Sequence, residues 1–421
     1  MLCQFTFKNF RSYRDAATLD MRAANLEEFG NTLIKSGDPK FPPLLPIAAI
    51  YGPNAGGKSN AIEALAYLVF RVLRPIVNSM GWDAIGRNPS AKFGLGYDEH
   101  FQPFLFDGYS QNEPMEFEIF FRTNSAQYHY QLSVLRERIV SESLFFVKYP
   151  CERVRYARLF ERDGEKIALG AALKKAAAQT GSVSPSVSFL SFLSIGYQFP
   201  EIQDVMRWFG NCCFVSFSMP NRDHKFYAAL NLPEVKGNVL ELLSAMDIPI
   251  SDYNFDESRK DSPIYTTHSV NGERYQLSLR DESEGTQKVF SILFPILVTL
   301  AQGGIFIVDE LDAKLHPQLL RYLVSLYANP ESNDERAQLI FTCHDLSVMS
   351  NELLRRDEIW FAARGEDSGS ELWSLSDIQD ENGKRVPNTE AYDKQYLTGR
   401  YGADPYLRRI REWGVSYGKE A

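Results

Sequence analysis

The residues Gly52-Pro53-Asn54-Ala55-Gly56-Gly57-Lys58-Ser59 fit the spacing G-x-x-x-x-G-K-[ST]. That spacing suits phosphate chemistry. The glycines let successive backbone N–H groups turn inward at an anion, with the start of a helix behind them. Lys58 offers a positive charge to β- and γ-phosphates, and Ser59 offers a hydroxyl to Mg²⁺. Asn54, Ala55, Gly56, Gly57 and the following Asn60 complete the expected nucleotide contacts. A glycine-rich turn can precede a helix by chance, but this one sits between an apolar run and a segment of helical periodicity.

Three further groups could act on the same phosphates. Ile305-Phe306-Ile307-Val308 reads as a buried strand that delivers Asp309 and Glu310 at its carboxyl end. Asp309 is placed to hold Mg²⁺ through water, and Glu310 to polarise an attacking water as general base. Asp281-Glu282-Ser283-Glu284-Gly285-Thr286-Gln287-Lys288 opens a long apolar helix. A Ser-x-Gly turn at a helix start is an anion site, with Ser283 and Gly285 the expected contacts, or else an ordinary N-cap. Phe341-Thr342-Cys343-His344-Asp345 ends a later strand, where His344 can reach a γ-phosphate and sense its loss. A lone histidine is more often structural; this one closes an ordered set of four.

The elements that must position these groups follow from periodicity. Cys3, Phe5 and Phe7 alternate with polar residues as a half-buried strand. Leu44 to Tyr51, the glycine-rich loop, and then Ile62, Leu65, Leu68, Val69 and Val72 read as strand, loop, helix. Phe117, Ile119 and Phe121, then Tyr128, Tyr130, Leu132 and Val134, alternate on either side of a turn at Thr123 to Ala126; a further hairpin is expected at Asp163-Gly164. We therefore expect an α/β fold. Its N-terminal lobe spans 1–99, an antiparallel β-subdomain 100–169, and an inserted, mostly helical region 170–264. A C-terminal lobe follows at 265–365 and a tail at 366–421. The insert holds a charge run around 256–262 and no persistent heptads.

The order of the four motifs resembles the ABC ATPase superfamily, a P-loop ATPase head in which a mixed parallel core sheet carries an antiparallel β-subdomain. In that family the Ser-x-Gly signature touches the γ-phosphate bound to the other subunit. The resemblance thus implies a homodimer closed around ATP and Mg²⁺, with Ser283 and Gly285 acting in trans. Phe7-Lys8-Asn9-Phe10-Arg11-Ser12-Tyr13 narrows the likeness to the SMC/RecF/OLD-like branch. In that branch the matching arginine meets nucleotide phosphate, so this role is expected of Arg11. Arg355-Arg356-Asp357-Glu358-Ile359-Trp360-Phe361, Leu372-Trp373-Ser374-Leu375-Ser376-Asp377 and Tyr396-Leu397-Thr398-Gly399-Arg400-Tyr401-Gly402-Ala403 resemble bacterial RloA/AbiL-type ATPases of abortive infection and phage defence. Two departures stand out. The signature reads Ser-Glu-Gly-Thr, which puts Glu284 near a phosphate. The Q-loop glutamine is best matched by Gln102. OLD-type relatives also carry a Toprim nuclease after the histidine; the short stretch beyond His344 lacks its acidic set, so a nuclease effector is expected on a separate chain.

At 421 residues, with 44% hydrophobic and 24% charged residues, the chain can bury a large core. Its net charge of −9 disfavours wrapping nucleic acid over the whole surface. The five cysteines have no metal-ligand spacing and read as reduced thiols of a cytoplasmic protein. The start shows no signal-peptide layout, and the longest apolar stretch is too short to span a membrane. Three readings compete. A defence ATPase controlling a toxic partner predicts weak DNA affinity and a neighbouring effector gene. A RecF-like repair ATPase predicts direct, salt-sensitive DNA binding. A transporter ATPase predicts a membrane partner, against which the Asn9-to-Ser12 segment and the long insert argue.

Overall fold

Three strands whose apolar runs are unbroken form the centre of the molecule: β3 (Ile47–Tyr51), β13 (Ile305–Asp309) and β14 (Gln338–Thr342). Continuous apolar runs belong in a parallel sheet covered on both faces. With β9 (Cys212–Ser216), β15 (Ile359–Arg364) and β16 (Ser370–Ser374), they make a six-stranded sheet in the order β16-β15-β3-β14-β13-β9. All neighbours in it are parallel except β15 and β16. The computed structural model describes residues 1–81, 100–216, 230, 232–256, 264–365, 367–380 and 383–403.

Side-chain alternation divides the apolar residues of this sheet between two cores. Ala48, Ile50, Ile305, Ile307 and Ile340 face one layer, which holds α1 (Lys58–Met80), α2 (Phe189–Gly196) and α3 (Pro200–Gly210). Ala49, Tyr51, Phe306, Val308, Leu339 and Phe341 face the other, formed by α4 (Pro233–Ala245), α5 (Glu284–Gln302) and α6 (Pro317–Ala328). The result is an α/β/α sandwich whose strand ends carry the chemistry.

A second, antiparallel sheet of seven strands runs in the order β2-β1-β4-β5-β6-β7-β8. Its strands are β1 (Leu2–Lys8), β2 (Ala17–Asp20), β4 (Met115–Arg122), β5 (Ala126–Leu135), β6 (Arg138–Lys148), β7 (Ala157–Asp163) and β8 (Lys166–Leu169). Phe117, Ile119 and Phe121 are buried while Glu116 is exposed. Thr123 closes the β4–β5 turn on Ala126, and Gly164, in the left-handed region, starts the β7–β8 turn.

Spatial units cut across chain ranges. Among its described residues, the stretch 170–264 supplies three α-helices but also β9, paired with β13 along its whole length. It supplies β10 (Asp252–Phe255) to a small sheet with β11 (Ile264–Val270) and β12 (Glu273–Ser278) as well. Beyond Asp256, the charge run of 256–262 lies outside the described residues. The tail contributes β16 and α7 (Tyr392–Leu397), and residues 404–421 also lie outside the described set. No helix among the described residues is long and apolar enough to cross a membrane.

Candidate functional site

The loop from Gly52 to Gly57 joins β3 to α1 and is pressed against the C-terminal strands. A Cβ on Gly52 would lie 2.0 Å from the Ala362 carbonyl oxygen, and one on Gly56 2.5 Å from the same atom. A Cβ on Gly57 would meet Ser370 Oγ at 2.5 Å, and Gly57 adopts a positive φ of 112°. These glycines are demanded by close backbone approach as well as by conformation. Among the described residues, the N–H groups of Ala55, Gly57, Lys58 and Ser59 find no acceptor. They form an orphaned donor cluster at a helix start, which suits a phosphate.

Lys58 is buried, and its Nζ donates to the carbonyls of Gly52 (2.8 Å) and Pro53 (3.0 Å). Burial pushes its pKa down, while Asp309, Glu310 and Asp312 pull the other way. An ammonium satisfied only by neutral carbonyls is a ready partner for an anion.

Ser59 Oγ donates to Asp309 Oδ1 at 3.1 Å. Thr342 completes the arrangement: its hydroxyl donates to the same Asp309 oxygen at 2.6 Å and accepts from the Glu310 N–H at 2.7 Å. Glu310 itself is exposed and holds a left-handed φ of 56°, a strained conformation for a non-glycine residue. Among the described residues no cluster of three or more His, Cys, Asp or Glu side chains could hold a metal. Ser59 and Asp309 nonetheless fit Mg²⁺, which takes one or two protein oxygens and completes its shell with water and phosphate. Asp312 Oδ2 accepts from the N–H groups of His344 and Asp345, both at 3.0 Å, and so holds the exposed His344 at the strand end.

The N-terminal segment closes over the start of α1. Asn60 donates to Ser12 Oγ at 2.7 Å, and Tyr13 OH to the Gly57 carbonyl at 3.2 Å. Arg11, in the left-handed region, pairs with Glu63 of α1 and with the Gln102 side chain, while its N–H donates to the Gln102 carbonyl at 2.8 Å. The structure therefore brings together the candidate arginine and the candidate Q-loop glutamine.

Ser283 and Gly285 stand apart from this cluster: no described hydrogen bond or ion pair joins their turn to residues 52–60. Ser283 is the N-cap of α5, its exposed hydroxyl accepting from the Thr286 N–H at 3.1 Å. Glu282 is tied to β11 through Thr266 and through His268 Nε2 at 2.6 Å. Gln287 Nε2 donates to the Arg280 and Glu282 carbonyls. Lys288, five residues into the helix and buried, sends its Nζ to the Glu310 carbonyl at 2.9 Å and to that of Ala313. Thr342, Lys288 and Asp312 are site residues to which the sequence assigned no role.

The sequence profile of the family described as "AAA domain, putative AbiEii toxin, Type IV TA system" matches residues 47–350, a span that contains the P-loop, the Ser283 turn, the acidic strand and His344. The chain belongs to that family. It is thus a P-loop protein of the AAA-domain type, with the glycine-rich loop at the end of β3 in a parallel core sheet and an antiparallel sheet as a second unit. No curated protein is detectably similar to it in sequence. Among solved structures, the SMC head domain from Thermotoga maritima is similar at 14% identity and a TM-score of 0.39, covering 89% of this chain and 98% of that one. A SmcHead bound to the C-winged helix domain of ScpA is similar at 12% identity and a TM-score of 0.43, over 89% and 97%. The Smc head with an extended coiled coil bound to the C-terminal domain of ScpA, from Pyrococcus furiosus, gives 12% and 0.38, over 89% and 96%. Likenesses this distant leave function untouched.

Proposed function

We propose that this AAA-domain head hydrolyses ATP at sites shared between two copies of the chain, and that the ATP-closed pair controls a separate effector, such as a nuclease, in bacterial defence against phage. The observation that carries the reading is a division of labour. Lys58, Ser59, Asp309, Glu310 and His344 gather at one end of the core sheet, whereas the exposed Ser283 turn makes no described hydrogen bond or ion pair with the P-loop and lies against the loop that follows Glu310.

Each residue then has a role that its surroundings support. The orphaned N–H groups of the loop and Lys58 hold the β- and γ-phosphates, with Asn54, Gly56 and Asn60 lining the same loop. Ser59 and Asp309 would hold Mg²⁺, which supplies charge neutralisation to the phosphates when bound. Glu310 takes a proton from water; the Thr342 hydroxyl and the Lys288 ammonium fix its backbone from two sides. His344 reads the γ-phosphate, and Arg11 turns from Glu63 to a phosphate oxygen. Ser283 and Gly285 come from the second copy. The resemblance of the tail to RloA/AbiL-type proteins supports the defence role.

Sedimentation of a Glu310→Gln chain with Mg²⁺ and ATP tests the shared site: a nucleotide-dependent dimer is expected, and a monomer saturated with nucleotide would refute it. For the effector, the products of adjacent genes are co-expressed with wild-type and Glu310→Gln chains. An effector activity that differs between the two supports control, and identical activity would contradict it.

A further inference from the structure

We infer that Arg364 receives the acidic Ser283 turn of a second copy, an inference that rests on the dimer proposed above. The turn poses a physical problem. Asp281, Glu282 and Glu284 put three carboxylates within four positions, beside a serine meant to face a triphosphate. Glu282 is occupied by Thr266 and His268, but Asp281 is exposed and Glu284 is 73% exposed. Among the described residues Glu284 pairs only with Lys314, at 3.0 Å, an exposed pair that releases at little cost. Bringing this turn to bound ATP requires a cation on the receiving side.

The receiving side offers one. Beside the P-loop lies an open cleft of about 500 Å³, walled by Gly52 to Gly56, His344, Arg364, Tyr396 and Leu397. The other cations around the P-loop are engaged: Lys58 on the loop carbonyls, Arg11 with Glu63, Arg14 with Asp15 and Asp367. Arg364, exposed at the end of β15, donates from Nε to the Ala55 carbonyl at 3.1 Å and lies over the Phe106 ring at 6.0 Å. Among the described residues it forms no ion pair. Its guanidinium lines the cleft, held by the Ala55 carbonyl with charge to spare, and the acidic turn is the complementary surface. Leu397, 70% exposed and lining the same cleft, supplies apolar area for the contact.

The test is a charge exchange in the full chain carrying Glu310→Gln, with the dimer dissociation constant measured by sedimentation under Mg²⁺ and ATP. Arg364→Glu and Glu284→Arg should each weaken the dimer at least about tenfold, since like charges then face each other twice per dimer. Combined, they should return it to within about threefold of the parent, and Arg364→Gln should fall between parent and Arg364→Glu. Tight dimers from Arg364→Glu, or a double variant no better than the singles, would overturn the inference. So would a loss of nucleotide affinity in Arg364→Gln monomers comparable to that of Lys58→Ala, which would make Arg364 a phosphate ligand. If the parent stays monomeric while saturated with nucleotide, the dimer reading fails first and takes this contact with it.

Discussion

Ser59 and Asp309, separated by 250 positions in the chain, share a hydrogen bond of 3.1 Å between hydroxyl and carboxylate. Two parallel strands produce it. β3 ends at the P-loop and β13 ends at the acidic pair, with β14 between them supplying Thr342 to the same carboxylate oxygen.

Thr342 therefore orients Asp309 and pins Glu310 at once. Replacing it with Val removes both hydrogen bonds while keeping the β-branched shape. Mg²⁺ affinity or turnover should fall on the order of 10- to 100-fold, the usual effect of losing a group that orients a metal ligand. Mg²⁺ titration of ATPase activity reports it; a Thr342→Ser variant should recover most of the loss, and equal failure by Ser and Val would point to packing instead.

Glu310→Gln should bind ATP and Mg²⁺ like the parent and slow hydrolysis by a factor on the order of 10² or more, the scale of general-base assistance. Single-turnover hydrolysis measures it. Full turnover would remove Glu310 from the role of base.

Lys58→Ala should lose most nucleotide affinity, because a charge-assisted phosphate contact disappears from a buried position. Equilibrium binding of a fluorescent ATP analogue decides this, and unchanged affinity would place the nucleotide elsewhere.

Lys288 gives a pH signature. Burial pushes its pKa down to about 8 from 10.5. Between those values the folded chain has shed the proton and the unfolded chain still holds it, so stability rises with pH across this window. In Lys288→Met that increment should vanish. Thermal melts of both proteins between about pH 7.5 and pH 10 compare them, and parallel curves would show that Lys288 keeps an ordinary affinity for its proton.

The motifs and the buried strands were legible because their signals are local: a loop that demands glycines, and runs such as Ile305 to Val308 that only a covered sheet accommodates. The flanking alternation at Phe117, Ile119 and Phe121 also declared its sheet. What stayed hidden depends on contacts distant in sequence. Cys212 to Ser216 is too short to announce a strand amid helices, and its place is set by pairing with β13. Thr342 looks like any β-branched residue in a buried strand. Lys288 looks like a solvated helix lysine until the carbonyls of Glu310 and Ala313 fold over it. For the Ser283 turn, the cap and the anion site were both open from sequence. The cap is visible in the single chain, and the proposed anion role needs a second one.

The claim that the active site is completed by another copy can be measured directly by mixing Lys58→Ala chains with Ser283→Arg chains and following ATP hydrolysis. Each homodimer is defective at both of its sites. In the mixed dimer one site collects both defects, while the other joins an intact P-loop to an intact Ser283 turn. The account predicts that activity absent from either protein alone returns on mixing, in proportion to the mixed dimer formed. Absence of any recovery, with mixed dimers verified by differential tagging, would contradict shared sites that act independently.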